Sequence, residues 1–463
     1  MFTVQDIARI CRGTLVSVTP DTVIRAVAID SREVQGGDLF VALCGRRLNG
    51  HSFVREAYQN GAAVVLVERM TPDVKKSILV RDTLQALQKL ARSHRARFSI
   101  PVVAVTGSTG KTTTKACIAI SLSQVFRVRA GYRNWNNHIG VPLNLLRLSS
   151  SDECLVIELG ANHVGEIRAL AELAQPTVGV ITGVSPAHLE GFGSLDGIYQ
   201  TKLELADYLR ARSGLVVANG DDSKLIRKLR QRQVSLVTFG TQRQCDFFIS
   251  RLTARNGCIC FQVNDAIDFR LKGYGVFNAM NALAAIATAS YFKLDLKALS
   301  ESWQSLPMLD HRFRVEHWRE RDIQVVDDAY NANPRSFAEA ITSFQDLAQD
   351  RRKMVVIGDM LELGRDAISY HEDLGRLLSS AGIDVVVGVG EMSRYAVEAF
   401  HSSEPSRETA QFPDLRGACE FLRVNLKEGD SVLIKGSQAL HLHEMEKLLE
   451  TSLGADLAIA AWS

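Results

Sequence analysis

A cluster of glycine, threonine and lysine, Thr106-Gly-Ser-Thr-Gly-Lys-Thr-Thr113, follows the apolar run Val102-Val-Ala-Val105 and precedes a helical stretch over 115–125. A buried strand, a tight turn and a helix start in that order cradle phosphate, because converging backbone N–H groups and the positive helix end both face an anion. Gly107 and Gly110 permit the turn, Lys111 adds a point charge, and Thr112 adds a hydroxyl suited to Mg²⁺. The predicted chemistry is the binding of a nucleoside triphosphate. The motif is more compact than the general glycine-rich phosphate loop, so its weight comes from the strand before it and the helix after it.

Further reactive groups stand at the ends of neighbouring apolar runs. Glu158 closes Leu155-Val-Ile157, where a carboxylate would share a divalent cation with Thr112 or else cap a helix. His188, in Ser185-Pro-Ala-His-Leu-Glu-Gly191, reads as a hydrogen-bonded loop residue or as a neutral imidazole ligand for a second divalent ion. Asn134-Trp-Asn-Asn-His-Ile-Gly-Val-Pro142 brings amides, Asn136 and Asn137 among them, to a helix start. Such a set suits carboxylates, amides or sugar hydroxyls, and equally an asparagine-rich turn. Lys202, in Tyr199-Gln-Thr-Lys-Leu-Glu204, reads on its own as a solvated helical lysine paired with a nearby carboxylate.

Positioning these groups requires a large α/β scaffold. At 463 residues the chain is long for one core, and a prior of roughly 150 residues per domain gives about three domains. Residues 1–82 alternate short strands and turns and form a small α/β domain, closed by Asp82 as a helix cap. Residues 83–309 interleave apolar strands with helices, which predicts a parallel-sheet mononucleotide-binding domain covered on both faces. Within it, residues 245–272 alternate like an antiparallel appendage. Residues 310–463 form a third, Rossmann-like α/β domain, whose strand ends carry Asp327-Asp-Ala-Tyr-Asn-Ala-Asn-Pro334, Gly358-Asp-Met-Leu-Glu362 and Lys435-Gly-Ser437.

Composition excludes several classes. With 46% hydrophobic and 23% charged residues the chain is a soluble globular protein, and no apolar run approaches the ~20 residues that cross a membrane. The opening Met-Phe-Thr-Val-Gln-Asp lacks a signal-peptide core, so the cytoplasm is expected. A net charge of +2 argues against nucleic acid as a partner, and the basic cluster over 92–97 reads as a solvated helix face. Eight scattered cysteines, of which only Cys258 and Cys260 are close, read as reduced structural thiols.

Taken together, the phosphate loop, Asn134-x-Asn-Asn-His-Ile-Gly-Val-Pro142, Glu158-Leu-Gly-Ala-Asn-His163, Ala187-His-Leu-Glu-Gly-Phe-Gly-Ser194, Asp327-Asp-Ala-Tyr-Asn-Ala-Asn-Pro334 and Gly358-Asp-Met-Leu-Glu-Leu-Gly364 resemble the Mur ligases. The likeness runs through nearly the whole chain, including Asp30-Ser-Arg-x-Val-x-x-Gly-Asp-Leu-Phe-Val-Ala-Leu43. It implies ATP-dependent amide formation in peptidoglycan precursor synthesis, in the branch that joins D-Ala-D-Ala to UDP-MurNAc-tripeptide through an acyl phosphate. It further implies ATP on Thr106, Gly107, Ser108, Thr109, Gly110, Lys111, Thr112 and Thr113, with Asn278 near adenine, Arg312 near the phosphates and Asp328 near the ribose. Mg²⁺ would be held by Thr112 and Glu158, and a second ion by His188 and a carbamylated Lys202. Lys111, Glu158, His188 and Lys202 are thus the implied catalytic set. Ser31 and Arg32 would meet the uridine diphosphate end, while Asn136, Asn137, Tyr330 and Asn331 would face the peptide and dipeptide. A monomer is expected.

The chain departs from the family pattern at Phe277, before Asn278, at His311, before Arg312, and at Gln438 in Lys435-Gly-Ser-Gln438. Stacking of Phe277 on adenine would replace a polar contact at the first of these. A sister ligase of the tripeptide stage, a folylpolyglutamate synthase-like ligase and a nucleotide-binding regulator without turnover are the competing readings.

Overall fold

Val102–Thr106 and Cys154–Glu158 are short, fully buried apolar strands, the pattern of a parallel sheet covered on both faces. In the computed structural model, which describes residues 2–45, 48–255, 257–303, 313–318 and 322–450, they pair in parallel at the heart of a nine-stranded sheet. Val102–Thr106 lies between Cys154–Glu158 on one side and Val178–Ile181 on the other. Chain direction across the sheet reverses there, so Thr106, Glu158 and Ile181 end side by side at the crevice where such sheets bind ligands. The helices Lys111–Leu122 and Phe277–Tyr291 pack one face of this sheet, and Glu166–Ala174 and Leu195–Arg210 the other. The antiparallel appendage expected over 245–272 forms the far edge as Phe247–Arg255, Cys258–Val263 and Ile267–Lys272.

Two further large sheets flank this one, beside a small antiparallel pair of Phe2–Thr3 with Val23–Ile24. A five-stranded sheet takes Thr14–Val16, Val27–Ala28, Leu39–Val41, Val64–Val67 and Ser77–Leu79, all parallel except for the pair between the first and last. A six-stranded sheet over 314–435 places Asp430–Lys435 between Ile323–Asp327 and Arg352–Gly358, so Asp327, Lys435 and Gly358 share one edge. The three-domain α/β architecture is the one the strand and helix alternation predicts. No helix among the described residues is long and apolar enough to cross a membrane.

Arg92 and Arg97 are exposed, as the solvated reading of 92–97 expects, and that reading is corrected at His94 and Arg95. Arg95 is buried, and its guanidinium donates to the carbonyls of Ala174 at 2.9 Å and Phe98 at 2.5 Å; buried His94 meets the Leu148 carbonyl at 2.9 Å. These side chains tie the helix Thr83–Arg95 to the central sheet, because a helix that bridges two domains has little free face. The eight cysteines are all unpaired thiols.

Candidate active site

The phosphate loop is built on two glycines. Gly107 leaves the strand with φ of 148°, and a Cβ there would stand 1.9 Å from Thr182 Oγ1. Gly110 has φ of 76° and starts the helix Lys111–Leu122; a Cβ there would meet Asn281 Oδ1 at 2.3 Å. Both positions therefore need bare backbone. The helix starts at Lys111 rather than four residues later, so its unpaired N–H groups face the loop itself. Ser108 N donates to Gly183 O at 3.0 Å, Ser108 Oγ to Ser185 O at 2.9 Å, and Thr182 Oγ1 to Thr109 O at 2.5 Å, which brace the loop on the neighbouring strand end. Lys111 Nζ arches back to the carbonyls of Gly107 at 3.0 Å and Ser108 at 3.4 Å.

A variant tests this backbone. Gly107→Ala is expected to destabilise the protein by about 1–3 kcal/mol from strain alone, plus the cost of the clash. Denaturant titration should show a smaller loss in the Gly107→Ala/Thr182→Ala double variant, which relieves the clash and keeps the strained φ.

Beside the loop, Glu158 is buried with its carboxylate turned to the cleft. Its Oε2 accepts the Thr112 hydroxyl at 3.1 Å, its Oε1 accepts Asn136 Nδ2 at 3.1 Å, and Lys115 Nζ lies 3.7 Å away. Thr112 Oγ1 to Glu158 Oε1 measures 3.3 Å. Adjacent ligands of an octahedral ion with bonds of ~2.05 Å stand about 2.9 Å apart, so this pair of hard oxygen donors fits Mg²⁺.

A second cluster gathers across the cleft. His188, in the left-handed region at φ 52°, has its Nδ1 against the Glu362 carboxylate, and Glu190 N donates to Glu362 O at 3.3 Å. Burial holds the imidazole below its usual pKa, partly opposed by Glu362, which keeps the ring neutral and available as a ligand near pH 7. Lys202 is buried rather than solvated, and no carboxylate among the described residues pairs with it: Glu204 instead accepts the backbone N–H groups of Gly165 and Arg168 at 2.6 and 2.9 Å. Its ammonium lies 5.5 Å from the Phe192 ring and makes no hydrogen bond with a described residue. Desolvation, reinforced by the nearby Lys111 charge, pushes its pKa down to about 7.

These groups line one cleft of about 1180 Å³ to which all three sheets contribute. Gly107, Ser108, Lys111, Thr112, Asn136, Asn137, Glu158, His188, Lys202, Tyr330 and Asn331 all face it. Other expected site residues stand apart. Ser31 donates to Glu56 at 2.6 Å, and exposed Arg32 pairs with Asp30. Asn278 donates to Tyr274 O at 2.8 Å and accepts from Asn281, and Asp328 is held by buried Lys435 at 2.6 Å. Arg312 and His311 lie outside the described residues. Phe277 packs edge-to-face with Phe313 of the third domain, ring centroids 6.1 Å apart.

Three residues here were absent from the expected site. Asn281 accepts the Thr114 hydroxyl at 3.2 Å and locks Phe277–Tyr291 to the phosphate-loop helix. Lys115, one turn beyond Lys111, carries its own signal in that i,i+4 spacing. Glu362, noted only as part of a strand-end loop, reaches His188 from the third domain. Because Glu362 is half-exposed, Glu362→Ala is expected to change stability by less than about 1 kcal/mol. It should nevertheless lower kcat about tenfold by loosening the approach of the domains. Steady-state kinetics beside thermal melting separates the two.

Comparison with known proteins agrees with this geometry. Models of the Mur ligase family match residues 23–95 (catalytic domain), 105–289 (middle domain) and 311–438 (glutamate ligase domain). A UDP-N-acetylmuramoyl-tripeptide–D-alanyl-D-alanine ligase of Bacillus subtilis is 33% identical over 97% of this chain and 99% of its own. The structure of MurF from Acinetobacter baumannii superposes with a TM-score of 0.87 at 30% identity, covering 97% of this chain and 98% of that one. That of the MurF ligase from Thermotoga maritima in complex with ADP does so with 0.81 at 29% identity, covering 95% and 100%. With its phosphate loop, strand-end carboxylate and three sheets matched along nearly its full length, the chain belongs to the Mur ligase family.

Proposed function

We propose that the protein joins D-Ala-D-Ala to UDP-MurNAc-tripeptide, splitting ATP to ADP and phosphate, and so makes UDP-MurNAc-pentapeptide for peptidoglycan. The observation that carries this reading is the meeting in one cleft of a phosphate loop, the Thr112–Glu158 pair and buried Lys202, faced by amides from two domains. The reaction needs that combination. A carboxylate is a poor electrophile until phosphorylated, and phosphoryl transfer is mostly a matter of positioning and charge neutralisation.

The residues divide the work. The backbone N–H groups of 109–112 and the Lys111 ammonium hold the β- and γ-phosphates, while Asn278, Arg312 and Asp328 are assigned to adenine, phosphates and ribose. Mg²⁺ at Thr112 and Glu158, with a second ion at His188 and carbamylated Lys202, would supply neutralising charge between phosphate and carboxylate. Asn136 and Asn137 with Tyr330 and Asn331 orient the peptide carboxylate and the incoming amine, and Ser31 and Arg32 take the uridine end. Glu362 and its loop close the third domain over His188 and shield the acyl phosphate from water. In this division residues 1–82 bind the UDP substrate, 83–309 bind ATP, and 310–463 complete the site on closure. The protein is expected to work as a cytoplasmic monomer.

The test is ADP release with UDP-MurNAc-tripeptide and each amine in turn. Release that requires D-Ala-D-Ala and is not supported by single amino acids is the expected result. Turnover with single amino acids alone would assign a sister ligase, and ATP binding without turnover a regulator.

A further inference from the structure

Lys115 is a lysine without solvent. It sits on the phosphate-loop helix one turn beyond Lys111, and its side chain is 7% exposed. Its Nζ donates to the carbonyls of Gly131 at 3.0 Å and Arg133 at 2.6 Å, and lies 3.7 Å from Glu158 Oε2. Two of the three ammonium donors meet carbonyls, and the charge stands at ion-pair distance from one carboxylate. Burying such a charge carries a desolvation penalty that pairing offsets, so a buried pair argues for arrangement more than for net stability.

What it arranges is specific. Gly131 and Arg133 flank Tyr132 at the start of the loop that carries Asn136 and Asn137. Arg133 takes a left-handed φ of 47°, which a non-glycine residue holds only when its surroundings impose it. The same loop returns to the site through Asn136, whose amide donates to Glu158 Oε1 and whose carbonyl accepts Gly160 N at 2.8 Å. Glu158 Oε2 in turn accepts the Thr112 hydroxyl. The phosphate-loop helix, the strand-end carboxylate and the amide loop therefore share one buried cation.

We propose that Lys115 is a positioning residue that couples the two halves of the site: it aims the Glu158 carboxylate at Thr112 and pins the 131–137 loop so that Asn136 and Asn137 face the peptide substrate. The inference rests on the proposed function for the identity of that substrate. It predicts that one substitution weakens two ligands that Lys115 itself does not touch.

The experiment measures binding, with no turnover, in wild type, Lys115→Met and Lys115→Gln. Mn²⁺ in the presence of ADP is followed by electron paramagnetic resonance, and UDP-MurNAc-tripeptide is followed by calorimetry without nucleotide. Lys115→Met should weaken both by about tenfold or more, the usual penalty for losing a group that orients a metal ligand. Lys115→Gln keeps a donor for the two carbonyls and loses the charge beside Glu158, so it should recover peptide binding and leave the Mn²⁺ defect. Folded variants that bind both ligands as wild type does would overturn the proposal, leaving Lys115 a packing residue visible only in melting temperature. If Lys115→Met does not fold, an unchanged Mn²⁺ affinity in Lys115→Gln overturns it equally. Failure of the wild type to bind the UDP-linked peptide would instead count against the proposed function.

Discussion

Replacing Lys111 with methionine is expected to lower kcat/KM by on the order of 10³-fold, about 4 kcal/mol of transition-state stabilisation. The effect follows from where the charge sits. Lys111 Nζ hangs over the loop on the Gly107 and Ser108 carbonyls, poised to turn toward an anion held by the loop's N–H groups. Negative charge spreads over the transferring phosphoryl oxygens in the transition state, so a fixed ammonium acts more on kcat than on nucleotide affinity. Lys111→Arg should restore little, because a planar fork does not fit a cradle shaped for a point charge. Both variants should melt close to wild type, since water can take the place of the ammonium on the two loop carbonyls. Phosphate release under saturating and limiting ATP distinguishes the kcat effect from a binding effect.

Lys202→Ala is expected to lose activity by about 10²–10³-fold and to regain part of it with added acetate or formate. A lysine with an ordinary pKa is almost wholly protonated at pH 7 and does not attack carbon dioxide. Lys202, pushed down to about 7 by burial and by Lys111, is about half neutral there, so its amine is free to form a carbamate. The sign follows directly. Raising pH through 7 deprotonates the amine and favours the carbamate, and lowering it, or stripping bicarbonate, should depress wild-type activity. Small carboxylates would replace the missing anion in the alanine variant only, and mass spectrometry of the native enzyme should show one added carbon dioxide at Lys202.

The sequence was most informative where chemistry and backbone geometry coincide. Gly107, Gly110, Lys111 and Thr112 are legible because the turn needs bare backbone and the anion needs charge. The strands that carry Thr106 and Glu158 are legible because apolar runs of that length belong in a covered parallel sheet. The helix pattern alone makes Lys202 and Arg95 solvated, and only the family likeness draws Lys202 into the site; each lies on a helix enclosed by neighbours on most sides, and that enclosure comes from domain packing rather than from the helix's own periodicity. The contact between Glu362 and His188 was hidden too, since it joins residues 174 positions apart through two left-handed backbone kinks. Lys115 was in plain view beside Lys111, and only its burial and its carbonyl partners separate it from a surface lysine.

Central to this mechanism is that the cleft activates a peptide carboxylate by phosphoryl transfer before the amine attacks. The most direct measurement uses UDP-MurNAc-tripeptide labelled with ¹⁸O in its terminal carboxylate, incubated with ATP, Mg²⁺ and D-Ala-D-Ala. The released phosphate should carry one ¹⁸O from the peptide, and the UDP-linked product should gain the dipeptide. Unlabelled phosphate, or phosphate that takes its oxygen from solvent, would contradict this order of events.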